Sequence, residues 1–332
     1  KRATFVHILY FFALFLAYFH DISFLFGKNV VILHRETERV DHLIVNRKTS
    51  MIKVFSKIAD LQNQLFEDRK AGRTIGLVPT MGALHEGHAS LVRRSVQENG
   101  ITVVSVFVNP TQFNDKNDLK NYPRTLEADC KLLDECGADY VLAPSVEEMY
   151  PSPDRRQFEY PPVSTVMEGA HRPGHFNGVC QVVSRLFYIV RPGRAYFGEK
   201  DWQQIAVVKA MVRHLGLPVE IVECDIVRDE DGLAKSSRNT LLSKDERAIA
   251  PAIYKALNAS VDYAQTHTVA ETHDKVVGDI NAVDGLDVEY FSIVDGNTLQ
   301  DVQSWDETPY VVGCITVYCG KTPIRLIDHI KY

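Results

Sequence analysis

The sequence has no excess of basic residues. Its 37 lysines and arginines stand against 43 aspartates and glutamates, a net charge of −6 over 332 residues. Nothing in that balance would neutralise a phosphate backbone, so nucleic acid is not an expected partner, and any affinity for anions must be local. Cysteine is scarce: six occur, none in a Cys-x-x-Cys pair. That excludes a disulfide framework at this length and reads as reduced thiols of a cytoplasmic protein. Internal repeats and low-complexity tracts are lacking. What remains, 45% hydrophobic and 24% charged residues, is the composition of an ordinary globular protein of two domains or one large one.

Long apolar runs are absent except for one, from Phe5 to Phe19 and on to Phe26. Taken literally it is a marginal anchor or signal sequence with Lys1 and Arg2 as its basic flank. No small-residue cleavage site follows, position 1 is not Met, and the first Met is Met51, where the composition changes to that of an α/β domain. We expect residues 1–50 to lie outside the fold, and no membrane association.

The chain is organised around residues 74–99, TIGLVPTMGALHEGHASLVRRSVQEN. Ile75, Leu77 and Val78, bounded by Gly76 and Pro79, read as a buried strand of a parallel sheet. From about Gly87, Leu91, Val92 and Val96 recur at helical spacing, so the chain passes from strand to helix across residues 81–88. Open α/β sheets place ligands at such junctions. A helix start offers unpaired N–H groups and partial positive charge, which suit a phosphate. His85 and His88 lie on one side of the first turn, and Gly87 between them has no Cβ to hold a nucleotide off the backbone. A nucleotide phosphate site follows from the combination; a surface histidine beside a capping histidine is the plainer reading. Zinc is disfavoured, because the hydrolase motif needs histidines at i and i+4 and these stand at i and i+3.

From Met51, the residues Val54, Ile58, Leu61, Leu65 and Phe66 predict a helix ending near Gly72. Residues 101–108 predict a second buried strand, ending in Asn109-Pro110-Thr111-Gln112-Phe113 at the same sheet edge as the histidines. Gln112 then either reads a substrate hydroxyl or carboxylate or serves as a turn residue. A polar loop over 114–123, a helix over 125–136, a strand over 140–143 and a brief helix opened by a Ser145-x-x-Glu148 capping box follow. After a proline-rich excursion over 151–162, a core helix runs over 179–190. The strand over 194–197 leads into Gly198-Glu199-Lys200-Asp201, a second strand-to-helix junction, with Asp201 as N-cap and Gln204 one turn in. Residues 219–222 and 225–227 read as one or two strands before the loop 228–239, where Lys235 and Arg238 flank Ser236 and Ser237; it reads as a phosphate clamp or an exposed linker. Ser243-x-x-Glu246 opens a helix to about Tyr263. The β-prone runs over 287–294, 309–318 and 323–327 suggest a small antiparallel α+β domain.

Three stretches agree on a family. Val78-Pro-Thr-Met-Gly-Ala-Leu-His-Glu-Gly-His88, Phe107-Val-Asn-Pro-Thr-Gln-Phe113 and Phe197-Gly-Glu-Lys-Asp201 with Gln203-Gln204 resemble pantothenate synthetases, and Tyr122-Pro-Arg-Thr125 and Asp231-Gly-Leu-Ala-Lys-Ser-Ser-Arg-Asn239 match in the same order. The resemblance runs from Met51 to the C-terminus. It implies an α/β fold, with a Rossmann-like parallel sheet and flanking helices over 51–226 and a smaller α+β lid domain over 227–332, in a cytoplasmic homodimer. It also implies an AMP-forming ligase that joins pantoate to β-alanine through pantoyl adenylate, with ATP as substrate and Mg²⁺ beside it. Catalytic roles then fall to His88, His85, Lys200 and Arg238. ATP contacts fall to Met81, Gly82, Ala83, Leu84, His85, Glu86, Gly87 and His88, to Gly198, Glu199, Lys200 and Asp201, and to Val227, Lys235, Ser236, Ser237 and Arg238. Many relatives carry Met where Lys235 stands.

Attack of a carboxylate on the α-phosphorus brings two anions together, so positioned donors are the main requirement. The resemblance makes His88 the favoured proton donor, and a modest environmental change would charge such a ring near pH 7. Gln112, Gln204 and Asn109 are the expected substrate contacts, and the uncharged glutamines orient an acid without dulling it as a nucleophile. Asp129 is a weak metal candidate, with Arg172 and His175 as further contacts for Mg²⁺ or substrate. A simple nucleotidyltransferase would share the histidines but need cations in place of Gln112 and Gln204. A non-catalytic nucleotide-binding module would need neither glutamine.

Overall fold

The structure, a computed structural model, describes residues 52–114 and 116–332 and the backbone of two short antiparallel strands, β1 (Ser23–Phe26) and β2 (Asn29–Ile32). The apolar run over 5–19 lies outside the described residues. Residues 1–51 and 52–332 form two separate compact units, and every candidate site residue belongs to the second.

Alternation decides the layers. Ile75, Leu77 and Val103 face one core while Val78 and Val104 face another, as the two-residue period of a strand requires. The strands are β3 (Lys53–Phe55), β4 (Ile75–Thr80), β5 (Ile101–Val106), β6 (Tyr140–Leu142), β7 (Arg194–Gly198) and β8 (Glu220–Cys224). They form one parallel sheet in the order β3-β6-β5-β4-β7-β8. With helices on both faces, β4 and β5 are buried almost throughout. Helices α1 (Ile58–Lys70), α4 (His175–Val190) and α5 (Trp202–Leu215) share the first core, and α2 (Glu86–Glu98) and α3 (Leu126–Glu135) the second. The chain steps outward from β4 to β5 and β6, then returns past β4 to β7 and β8. Strand order therefore reverses beside β4, and a crevice opens at the carboxyl ends of β4 and β7.

The C-terminal part is antiparallel, with β9 (Leu286–Asp295), β10 (Val311–Cys319) and β11 (Ile324–Lys331) in the order β11-β10-β9. Helices α6 (Ala252–Ala264) and α7 (Val269–Asn281) close a core of their own over this sheet. Among the described residues no helix is long and apolar enough to cross a membrane.

Several local expectations are corrected. Val54 belongs to β3, not to the first helix, because pairing with β6 gives residues 53–55 a sheet edge that helical periodicity could not reveal. The polar stretch 114–123 contains the short helix Lys116–Asn121. Residues 225–227 lie outside any strand. The helix from Ser243 does not run through to Tyr263: it stops at Ile249 and α6 begins at Ala252, because Pro251 has no N–H for the ladder. Ser145 does cap its helix, yet Glu148 completes no box. Its carboxylate instead accepts the Ile58 N–H at 2.9 Å and pairs with Lys57, capping α1 from across the sheet.

Candidate active site

At the end of β4 the chain turns through Gly82 (φ +83°) and Ala83 (φ +51°), two left-handed residues in succession. Such a conformation costs a residue with a Cβ roughly 1–2 kcal/mol and needs external support. Asp129, 2% exposed, supplies it: its carboxylate accepts the N–H of Ala83 at 3.1 Å and of Leu84 at 2.8 Å, and the Thr125 hydroxyl at 3.2 Å. Gly82 donates to Thr80 Oγ1 at 3.2 Å. Two expectations change as a result. Asp129 is buried under the loop, absent from the cleft wall, and holds backbone rather than a metal. The amides of Gly82, Ala83 and Leu84 are spent inside the protein and do not cradle phosphate. Glu86 also turns away, paired with Arg93 on the exposed side of α2.

The two histidines cap α2 themselves. His85 Nδ1 accepts the Gly87 N–H at 3.1 Å, and His88 Nδ1 accepts the His85 N–H at 3.4 Å, with the rings 4.1 Å apart. With Nδ1 accepting, the neutral ring carries its proton on Nε2 and becomes a donor there. Burial, reinforced by the Lys200 charge and by Lys235, lowers the His85 pKa to about 4. Burial, then His85 and Lys200, lowers that of His88 to about 3. Both imidazoles are therefore neutral at pH 7, which corrects the expectation of a readily charged His88. At the helix start the Gly87 N–H is taken by His85 Nδ1, so part of the positive charge there is passed to the Nε2–H of that ring. Gly87 is required for a reason the sequence hid: a Cβ there would stand 2.9 Å from His85 Cε1. The linkage has a definite sign. Because the folded pKa values lie below the unfolded value near 6.5, the unfolded chain binds more protons, and the two rings subtract stability as pH falls from about 6.5 toward 3.

Gln112 comes from the turn after β5, and α4 fixes it. A Cβ on Gly178 would strike the Thr111 carbonyl, so helix and turn meet backbone to backbone. Asn109, 1% exposed, donates to the Gly178 carbonyl at 3.0 Å and to Gln112 Oε1 at 3.2 Å, and accepts the Tyr150 hydroxyl at 2.9 Å. Asn109 thus lies behind the cleft and orients Gln112, a correction to its expected substrate contact. Gln112 itself lines the cleft, with Nε2 3.0 Å from Met81 Sδ.

The β7–α5 junction divides its residues between two tasks. Gly198, Lys200, Asp201 and Gln204 line the cleft. Glu199, an expected ATP contact, is instead buried with both oxygens 2.8 Å from Lys331 Nζ. Gln203 faces the other way, donating to the Val163 and Val166 carbonyls at 2.9 and 2.7 Å. Asp201 stands at the N-cap position of α5 without a side-chain cap bond.

The loop 228–239 is anchored, not free. Arg228 makes a bidentate pair with Asp328 of β11 at 2.6 and 2.8 Å, and its guanidinium lies 3.8 Å above the Tyr254 ring. From that anchor the loop brings Lys235, Ser236, Ser237 and Arg238 to the cleft wall, Val227 lines it just before the loop begins, and the Lys235 ammonium pairs with Asp229. Lys235 Cβ lies 3.8 Å from where a Gly87 Cβ would stand, so the loop rests on the histidine turn. The cleft encloses ≈ 1460 Å³ including its open mouth. Imidazoles from α2, a glutamine from each of two sheet edges, a lysine from the β7 junction and the basic loop all border this one space.

The family model for pantoate–β-alanine ligase matches residues 53–331. The chain belongs to the pantoate–β-alanine ligase family. This ligase is 65% identical over 281 residues to the pantothenate synthetase of Bacteroides fragilis, covering 85% of this chain and 99% of the relative. It is 58% identical over the same length to that of Porphyromonas gingivalis. The crystal structure of pantothenate synthetase from Thermus thermophilus superposes with a TM-score of 0.79 at 45% identity, covering 84% of this chain and 99% of that one. The Francisella tularensis enzyme, solved with β-γ ATP and β-alanine, gives 0.68 at 32% identity, covering 84% and 97%. Phe113, Tyr122 and Asp225 also line the ligase's cleft; the first two stand inside recognisable motifs, whereas nothing in the sequence around Asp225 marks it.

Proposed function

We propose that this ligase joins pantoate to β-alanine in two steps within the cleft. A pantoate carboxylate oxygen attacks the α-phosphorus of ATP, the bond to the bridging oxygen breaks, and pyrophosphate leaves with the electron pair. The β-alanine amine then attacks the acyl carbon, the C–N bond forms, the C–O bond to AMP breaks, and the nitrogen loses its surplus proton. The observation that carries this reading is the pair of neutral histidines, whose Nε2–H donors share the cleft with Lys200, Lys235 and Arg238. Charge that develops on the α-phosphate would meet fixed donors there, which is where such groups lower a barrier. Uncharged Gln112 and Gln204 suit the acid, because a cation in either place would bind its carboxylate at the expense of nucleophilicity. The Francisella relative, solved with β-γ ATP and β-alanine, supports those two members of the substrate set.

Magnesium fits as an ion carried by the nucleotide. Among the described residues no group of three or more His, Cys, Asp or Glu side chains is gathered as a metal cage. Mg²⁺ commonly takes one or two carboxylates plus substrate phosphates, and Asp201 and Asp225 are the carboxylates bordering the cleft. There the ion would offset charge on the triphosphate. A homodimer also belongs to this reading, with Phe66 of α1 and Tyr188 of α4, 56% and 49% exposed, as surface a second copy would cover.

The test is exchange of labelled pyrophosphate into ATP. We expect exchange that depends on pantoate and needs no β-alanine. Exchange without pantoate, or none with it, would remove the adenylate from the account.

A further inference from the structure

β11 is an edge strand of the antiparallel sheet, and two turns that carry cations of the cleft both pack against it: Glu199–Asp201 after β7, and Ser237–Leu241 at the end of the basic loop. The two-residue period of a strand divides its side chains between them. His329 and Lys331 face the β7 turn. The Lys331 ammonium lies 2.8 Å from each Glu199 oxygen and 5.3 Å from the centre of the Trp202 ring, and the His329 ring stands 5.1 Å from Trp202. Asp328 faces the other way and takes both arms of Arg228, at 2.6 and 2.8 Å. One strand thus grips both basic walls of the cleft.

Each grip is close in the chain to a cleft cation. Glu199 directly precedes Lys200. Arg228 forms an antiparallel bridge with Ala234, the Lys235 N–H donates to the Val227 carbonyl at 2.9 Å, and Asn239 Nδ2 donates to the Ala234 carbonyl at 2.9 Å. Holding Arg228 therefore holds the backbone from which Lys235 and Arg238 project. Glu199 and Asp328 are both buried. An apolar pair of like volume commonly replaces a buried ion pair at no cost, whereas loss of one partner is expensive. Two such pairs on one strand point to fixed geometry more than to net stability.

We propose that β11 is the spacer of the nucleotide cleft, with Lys331 and Asp328 as positioning residues that set, through Glu199 and Arg228, the distance between Lys200 and the Lys235–Arg238 loop. Neither Lys331 nor Asp328 borders the nucleotide cleft. A triphosphate has a fixed length, so cations on opposite walls serve it together only at a matching separation. A misplacement of about 1 Å in such an arrangement can cost up to roughly 10²-fold. This inference rests on the two-step reading above only in taking ATP as the occupant.

Lys331→Met tests the pair that can be broken most gently, because this side chain is 43% exposed and methionine keeps apolar contact with Trp202. Read by pantoate-dependent pyrophosphate exchange, the KM for ATP should rise about tenfold. The KM for pantoate should stay within about twofold, since Gln112 and Gln204 stand on the β5 turn and on α5, which the first core holds. Lys331→Arg, which keeps the charge, should bring the KM for ATP back to within about threefold of the parent. In a Glu199→Gln background Lys331→Met should change it less than about twofold, because the carboxylate through which it acts is gone. A KM for ATP within twofold of the parent in Lys331→Met, a parallel rise in the KM for pantoate, no rescue by arginine, or the full tenfold loss on top of Glu199→Gln would overturn the assignment. Absence of pantoate-dependent exchange in the parent would instead strike the two-step reading.

Discussion

His88→Ala should slow pantoate-dependent pyrophosphate exchange about 10²- to 10³-fold, the effect of removing one preorganised donor from an oxyanion-type site. The loss should appear in turnover more than in the KM for ATP, since the donor meets charge that grows in the transition state. Folding should change little. His88 Nδ1 makes only one long bond, at 3.4 Å to the His85 N–H, and the helix keeps its shorter cap from His85 Nδ1. A thermal midpoint within a few degrees of the parent, read with the exchange rate, separates lost chemistry from lost structure. The neutral state of the ring adds a second readout. With its pKa at about 3, His88 should impose no acid limb near pH 6.5 on the exchange rate, whereas a charged proton donor would. Near-normal exchange in the variant would refute the role given to His88.

Arg228→Met should produce the largest loss of stability, about 3–5 kcal/mol, because it leaves a buried carboxylate without its cation. Asp328 is 4% exposed within the antiparallel sheet, and Arg228 satisfies both its oxygens. Methionine keeps apolar contact with Tyr254 but gives nothing to the charge. Denaturant unfolding should show the drop, and Arg228→Met with Asp328→Leu should recover most of it, since an apolar pair of similar volume is tolerated where half an ion pair is not. The single variant should also raise the KM for ATP, because Arg228 anchors the loop that brings Lys235, Ser236 and Arg238 to the cleft. Unchanged unfolding in the single variant, or no recovery in the double, would contradict the anchoring role.

The parallel sheet was legible because continuous β-branched runs such as residues 101–106 have no better use than a doubly covered strand. The two sheet-edge junctions followed from glycine and polar residues placed directly after such runs. Partnerships were harder to foresee. Nothing local marks Asp129 as the support of residues 82–84, Glu148 as the cap of a helix 90 positions away, or Arg228 as the partner of Asp328. Each depends on segments brought together only by the fold. Asn109 and Glu199 show the complementary error: each sits inside a functional motif yet faces inward, because a motif records that a residue is needed without recording where its side chain points. The His85–Gly87–His88 turn is plain in the sequence, whereas the charge state of its rings is not. Spacing showed two histidines on one face; only burial and the backbone donors at Nδ1 showed them to be neutral.

The central claim is that the acid becomes bonded to the α-phosphorus inside this cleft. Pantoate labelled with ¹⁸O in its carboxylate tests it directly when the products of complete turnover with ATP and β-alanine are weighed. One labelled oxygen should appear in the phosphate of AMP and none in pyrophosphate. Label in pyrophosphate or inorganic phosphate, or AMP without label, would contradict the account.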